Sequence, residues 1–136
     1  LDIGAGTAVL AIAAALTSPE PVLASDIDPL AVEVAETNAR ANGVGDKVRC
    51  IEAAGFEHPE IADRAPYDLI FANILKGPLV DLAPAMRGHI APEGRVILSG
   101  ILNEQADEVI AAYAAEGLRC VDRITLGDWT TITLSP

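Results

Sequence analysis

The ten residues Leu1-Asp-Ile-Gly-Ala-Gly-Thr-Ala-Val-Leu10 constrain the fold more than any other stretch of the sequence. Two glycines one residue apart follow a short apolar run carrying an acidic residue, and an Ala-rich segment comes next. Glycine permits backbone conformations closed to other residues and lets a neighbouring group approach without meeting a Cβ. The pattern predicts a strand ending at Gly4, a tight turn over Gly4-Ala5-Gly6, and a helix over Val9–Leu16. A short buried strand, Val22–Ser25, then brings Asp26 to its carboxyl end, 22 residues after Gly4. Strand, glycine turn, helix, strand and acidic tip form the front half of a pocket for an adenosine-like cofactor.

The alternation continues downstream. Asp28 is placed to cap a helix with Pro29 at its first position, running to about Asn42, with Gly43 where a left-handed cap belongs. Val48–Glu52 reads as a third strand. Residues 53–66 carry few signals beyond one possible helical turn. Tyr67–Ala72 is apolar and continuous, as expected of a central parallel strand covered on both faces. Pro78 opens a further helix that Pro84 kinks or shortens. Pro92-Glu93-Gly94 predicts a turn before a fifth strand, Arg95–Ser99. Asn103 is a candidate cap for a helix ending at Gly117. Leu118, Cys120, Ile124 and Leu126 share one parity of a sixth strand, and Gly127-Asp128 predicts a hairpin before Trp129–Leu134. Repeated βα units imply an α/β fold, a Rossmann-like doubly wound sheet of seven mostly parallel strands with one antiparallel strand added by the C-terminal hairpin.

With 136 residues the chain is expected to form one domain with a real core. Apolar residues make up 51% of it but aromatics only 4%, so the core must be built from Ala, Val, Leu and Ile. The net charge of −11 disfavours a nucleic-acid partner, which needs clustered Lys and Arg, and permits a basic protein partner. Two cysteines without CxxC spacing give no metal or disulfide signature and fit a reducing, cytoplasmic setting. No twenty-residue apolar span is present, so no membrane association is expected. The sequence opens inside what should be a strand and without Met. The expectation is that residues 1–136 are a catalytic domain truncated at its N-terminus.

The glycine turn discriminates between cofactors. A dinucleotide fingerprint, GxGxxG, requires glycine at position 9, where this sequence has the branched Val9. Asp2, directly before the turn, fits poorly beside a pyrophosphate and well beside a cationic cofactor such as S-adenosyl-L-methionine. At the tip of the second strand, Asp26 can accept hydrogen bonds from ribose hydroxyls, each worth roughly 1.5–3 kcal/mol when charge-assisted. Gly4 and Gly6 are expected at the methionine end and Ile27 on the adenine face. Glu52 is equally a candidate adenine contact or a solvated carboxylate. Asp2 either reaches the cofactor amino group or satisfies backbone donors in the turn. His58 and His89 lie away from the motifs and are expected to face solvent.

The run Asp2-Ile3-Gly4-Ala5-Gly6-Thr7-Ala8 resembles the first motif of class I S-adenosylmethionine-dependent methyltransferases, with Ala8 at the third glycine, where one extra methyl should be tolerated. The fourth strand ends in Ala72-Asn73-Ile74-Leu75, unlike the Asn-Pro-Pro-aromatic motif of amide and nucleobase methyltransferases. This segment, with Asp26-Ile27-Asp28-Pro29, Asn38-Ala39, Asn42-Gly43, Pro78-Leu79, Leu98-Ser99-Gly100-Ile101-Leu102 and Asp128-Trp129, resembles the ribosomal protein L11 methyltransferase family, PrmA type. The likeness covers essentially the whole chain. Departures are Ala5 for a frequent Cys, Ala8 for Gly, and Lys76 where a small residue is common. The resemblance implies methylation of Lys side chains and an N-terminal α-amine on a large-subunit ribosomal stalk protein, with substrate recognition by a separate N-terminal domain.

Amine methylation needs a neutral nucleophile. A lysine of pKa about 10.4 is neutral in roughly one molecule in a few thousand at pH 7, a barrier of about 4–5 kcal/mol. A nearby cation and an apolar pocket both lower that pKa, and the rest is positioning. Asn73 is the expected catalytic and cofactor-side residue, orienting the amine or the cofactor through its side-chain or backbone carbonyl. An amide is no strong base, and no dedicated general base is evident. Two other readings stay open: another class I methyltransferase acting on protein lysine or a small molecule, and a cofactor-binding fragment inactive without its missing domain. A nicotinamide-dependent oxidoreductase is disfavoured by Val9 and the closing hairpin.

Overall fold

A computed structural model describes all of residues 1–136. The chain divides into two compact units, Leu1–Ile61 and Ala62–Pro136. No helix is long and apolar enough to cross a membrane.

The first unit contains β1 (Asp2–Ile3), α1 (Val9–Thr17), β2 (Val22–Asp26), α2 (Pro29–Ala41) and β3 (Val48–Glu52). Its strands are parallel in the order β3-β2-β1. Registers of Asp2 with Ala24 and Ala24 with Cys50 put these three on one sheet face; Ile3, Ser25 and Ile51 share the other. On the first face lies a core of Ala8, Ala11, Ile12 and Ala15, Ala35 and Ala39, and Val22, Ala24, Val48 and Cys50. Small residues on both helices let their backbones lie close to the sheet, which is how a chain poor in aromatics fills its interior. Asp28 caps α2 by accepting from the Leu30 N–H (2.9 Å), with Pro29 in the first turn. Gly43, at φ 72°, ends it in the left-handed conformation.

In the second unit, β4 (Tyr67–Asn73) pairs in parallel with β5 (Ile90–Leu102). β7 (Trp129–Ser135) runs antiparallel to β5, and β6 (Arg119–Leu126) antiparallel to β7, in the order β4-β5-β7-β6. The helices are α4 (Lys76–Asp81), α5 (Ala83–His89) and α6 (Ala106–Ala115), the last preceded by a 3₁₀ turn at Asn103–Gln105. A short α3 (Pro59–Asp63) spans the boundary between the units and is the helical turn expected in residues 53–66. Pro84 falls in the first turn of α5, so the expected shortening appears as a break between α4 and α5. Tyr113 of α6 is fully buried and donates its hydroxyl to the Leu79 carbonyl of α4 (2.8 Å). Burial drives its pKa well above the usual tyrosine range, so it stays a neutral donor.

Four local expectations are corrected. The Pro92-Glu93-Gly94 turn does not precede β5 but lies inside it: Tyr67 pairs with Ile90 and Leu69 already with Arg95, so the intervening residues bulge out of the ladder. β6 has no buried face. It is the edge strand, Leu118 is buried just before it, and a register shift between Cys120 and Asp122 sends Cys120 and Ile124 to opposite faces. Asn103 does not cap α6, because its carboxamide donates to the Gly127 carbonyl (2.9 Å) and accepts from the Thr130 hydroxyl (2.8 Å), pinning the hairpin. β4 is not covered on both faces: Ile70 and Ala72 are buried on one, whereas Leu69 and Phe71 on the other are only partly buried.

Candidate functional site

Residues 4–8 form a turn in which every second residue is left-handed: Gly4 at φ 67°, Gly6 at φ 55° and Ala8 at φ 62°. A Cβ added at Gly6 would meet nothing within 4 Å, so open space lies beside the turn. Ala8 is the exception to the glycine pattern. A non-glycine residue in this conformation costs roughly 1–2 kcal/mol, while burying its methyl returns about 0.8 kcal/mol. The Ala8 side chain is fully buried in the α1–α2 core, so the substitution is tolerated at a small net strain.

Two carboxylates hold this turn. Asp2 is 2% exposed, and its Oδ2 accepts from the Ala11 N–H in the first turn of α1 (3.0 Å). The residue before α1, Ala8, has no side-chain acceptor, so Asp2 reaches across from β1 to do what an N-cap residue does elsewhere. Burial raises its pKa from 3.8 to about 6, outweighing the Ala11 N–H, and the nearby negative charge of Asp26 adds to the rise. Asp26, partly exposed at the end of β2, uses both oxygens: Oδ2 accepts from the Gly6 N–H (2.8 Å) and Oδ1 from the Asp28 N–H (3.0 Å).

An ionised carboxylate offers about four lone-pair sites, and backbone donors occupy two on Asp26. The remainder suit ribose hydroxyls. Next to it Ile27 is 71% exposed, an apolar surface on which a flat base can rest. Glu52, in register with Asp26 at the end of β3, is exposed. An open glycine turn, a carboxylate with spare acceptors and an exposed apolar residue beside it fit an adenosine-bearing cofactor.

In the second unit Asn73 ends β4, is exposed, and its carboxamide takes part in none of the chain's hydrogen bonds. The Asn73 Oδ1 and the Ile74 carbonyl oxygen converge over Gly100, standing 2.8 and 2.9 Å from the position its Cβ would take. Lys76 is engaged with Glu108 of α6 (2.8 and 3.0 Å). Both histidines are half-buried rather than solvent-facing, because each ring bonds to backbone. His58 Nδ1 accepts from the Glu60 N–H in α3 (3.1 Å), and His89 Nδ1 bonds the Ala85 carbonyl (2.8 Å). Sequence reasoning noted Gly100 only for the family resemblance and gave it no role, because its contact is non-local, and it missed Ser25, whose buried Oγ finds no partner.

The family model described as Ribosomal protein L11 methyltransferase (PrmA) matches residues 1–135. The chain belongs to that family. Relatives named ribosomal protein L11 methyltransferase include one from Mesorhizobium japonicum, 53% identical over 134 residues (98% of this chain, 46% of the relative). Another, from Brucella abortus, is 50% identical over 135 residues (99% and 47%). The chain thus spans about half the length of these relatives. A solved ribosomal protein L11 methylase from Lactobacillus delbrueckii subsp. bulgaricus superposes with a TM-score of 0.91 at 32% identity, covering 98% of this chain and 67% of that one. The fold is the seven-stranded, mostly parallel α/β sheet with antiparallel C-terminal strands of class I methyltransferases.

Proposed function

We propose that residues 1–136 are the methyl-transferring part of an S-adenosyl-L-methionine-dependent methyltransferase that modifies amines of ribosomal protein L11, the lysine side chains and the N-terminal α-amine. Asp26 holds the ribose, Ile27 the base, and Gly4 and Gly6 the methionine end, with the Asp2 charge behind the turn. When bound, the cofactor supplies a methyl group activated by a sulfonium charge. The observation that carries the acceptor class is the pair of oxygens at the end of β4, Asn73 Oδ1 and the Ile74 carbonyl, which both lie close beside Gly100. A neutral primary amine has two N–H donors. Two acceptors satisfy both and leave the lone pair free to attack, whereas an acceptor oxygen or aromatic carbon offers no such match.

Neither oxygen is a base, so the amine sheds its proton to water before transfer, and the residues contribute orientation. Recognition of the acceptor protein is assigned to the part of the relatives that this chain does not span. The acidic surface, at net charge −11, suits a basic ribosomal protein better than nucleic acid, and such a substrate places the reaction in the cytoplasm. The test has two arms. Calorimetry should show S-adenosylhomocysteine binding and no NAD binding; the reverse removes the cofactor assignment. Radiolabelled methyl transfer should favour purified L11 over bulk ribosomal proteins and small amines, and preference for a small amine would replace the substrate.

A further inference from the structure

Gly100 differs from three other left-handed glycines, Gly6, Gly43 and Gly127. At Gly6, Gly43 and Gly127 an added Cβ would meet nothing, so backbone conformation alone explains them. At Gly100, φ is +75°, and the same Cβ would stand 2.8 Å from Asn73 Oδ1, 2.9 Å from the Ile74 carbonyl oxygen and 3.4 Å from the Ile74 nitrogen. Contacts below 3 Å to a side chain and to backbone cannot both be relieved without moving the Asn73–Ile74 segment.

The local chain path explains why Gly100 comes so close. The last rung between β4 and β5 joins Asn73 to Ser99. On the other side of β5, Leu98 pairs with Ile132 and Ile101 with Thr130. Ser99 and Gly100 therefore both face Thr131, a bulge in which two residues oppose one. The Ser99 and Thr131 hydroxyls are hydrogen-bonded across it (3.2 Å). The antiparallel β7 thus creates the bulge, and the bulge turns the Gly100 Cα under the end of β4.

We propose that Gly100 is a positioning residue for the methyl acceptor: lacking a Cβ, it leaves the room in which the Asn73 carboxamide and the Ile74 carbonyl, the two oxygens assigned above to the amine, take their places. This rests on the reading of Asn73 given above. The cofactor residues proposed above lie in the other unit of the chain.

The test compares Gly100→Ala, Asn73→Ala and the double variant. In residues 1–136, small enough at 14.1 kDa for solution NMR, Gly100→Ala should shift the Asn73 carboxamide resonances and average its side-chain couplings. S-adenosylhomocysteine affinity should stay within twofold. The kcat on L11 should fall at least tenfold in Gly100→Ala. The loss in the double variant should be at least tenfold smaller than the product of the two single losses. A Gly100→Ala protein with unchanged carboxamide resonances, with kcat within twofold of the parent, or with fully multiplicative losses overturns the role of Gly100. Undiminished turnover in Asn73→Ala sinks the acceptor reading itself, and the role of Gly100 with it. Should Gly100→Ala not fold, Thr131→Val loosens the bulge without adding an atom beneath Asn73. A kcat loss there that disappears on the Asn73→Ala background supports the role, and an unchanged kcat overturns it.

Discussion

Asp2 carries a charge that the fold would be more stable without. Its carboxyl is buried, and its pKa is raised from 3.8 to about 6 by that burial. A folded-state pKa above the unfolded one means that the native protein holds the proton more tightly. The contribution to stability is fully present below pH 3.8 and is lost as pH rises through 6. At 1.36 kcal/mol per pH unit the loss amounts to about 3 kcal/mol at neutral pH. Asp2→Asn keeps an oxygen able to accept from the Ala11 N–H and removes the charge. Urea denaturation from pH 4 to pH 8 should show the variant about 1–3 kcal/mol more stable than the parent at pH 7.5, the difference closing towards pH 4. Asp2→Ala separates the cap from the charge: it leaves the Ala11 N–H without its partner and should lose about 1–3 kcal/mol relative to Asp2→Asn. An Asp2→Asn protein less stable than the parent at pH 7.5 would refute the reasoning, because the carboxylate would then be stabilised by its surroundings.

Three further outcomes follow from the same unit. Asp26→Ala should weaken S-adenosylmethionine binding at least tenfold, on the order of 1.5–3 kcal/mol, and unchanged affinity by calorimetry removes the ribose assignment. Affinity for the cationic cofactor should fall as pH drops through about 6, where Asp2 takes up its proton, and Asp2→Asn should abolish that dependence; a parent whose affinity is flat from pH 5 to pH 8 contradicts it. Ser25 is 1% exposed with an unpartnered Oγ, so Ser25→Ala should be neutral or stabilising by about 1 kcal/mol in thermal denaturation, and a clear loss would reveal a partner such as a buried water.

The elements legible in the sequence were those whose signals are local. The Asp28-Pro29 cap, the Gly43 stop and the Gly127-Asp128 hairpin each depend on residues a few positions apart, and the structure realises all three. The misreadings share another cause. Asn103 looks like a cap from its neighbours, but Gly127 and Thr130, far along the chain, take its carboxamide instead. The parity of β6 fails because one irregularity at Val121 shifts every later side chain to the other face. Pro92 lacks the N–H a ladder requires, yet lies within β5 because the strand bulges there.

The candidate site divides along the same line. Spacing alone located Asp2 and Asp26, since a glycine turn between two parallel strands puts an acid before the turn and another at the next strand tip. Spacing does not say what each carboxylate touches. Asp2 is sealed under α1, so under the proposed function it would act on a cation through its field rather than by contact, and keeping it ionised in that position is what costs stability. Asp26 sits at the rim with acceptor sites to spare, so the bonds that fix the turn would not compete with the bonds proposed to hold a ribose. Both acids shape the turn through backbone donors, Gly6 and Asp28 for one and Ala11 for the other. Those hydrogen bonds fix the turn from within the chain, so little conformational entropy remains to be lost when a ligand settles on it.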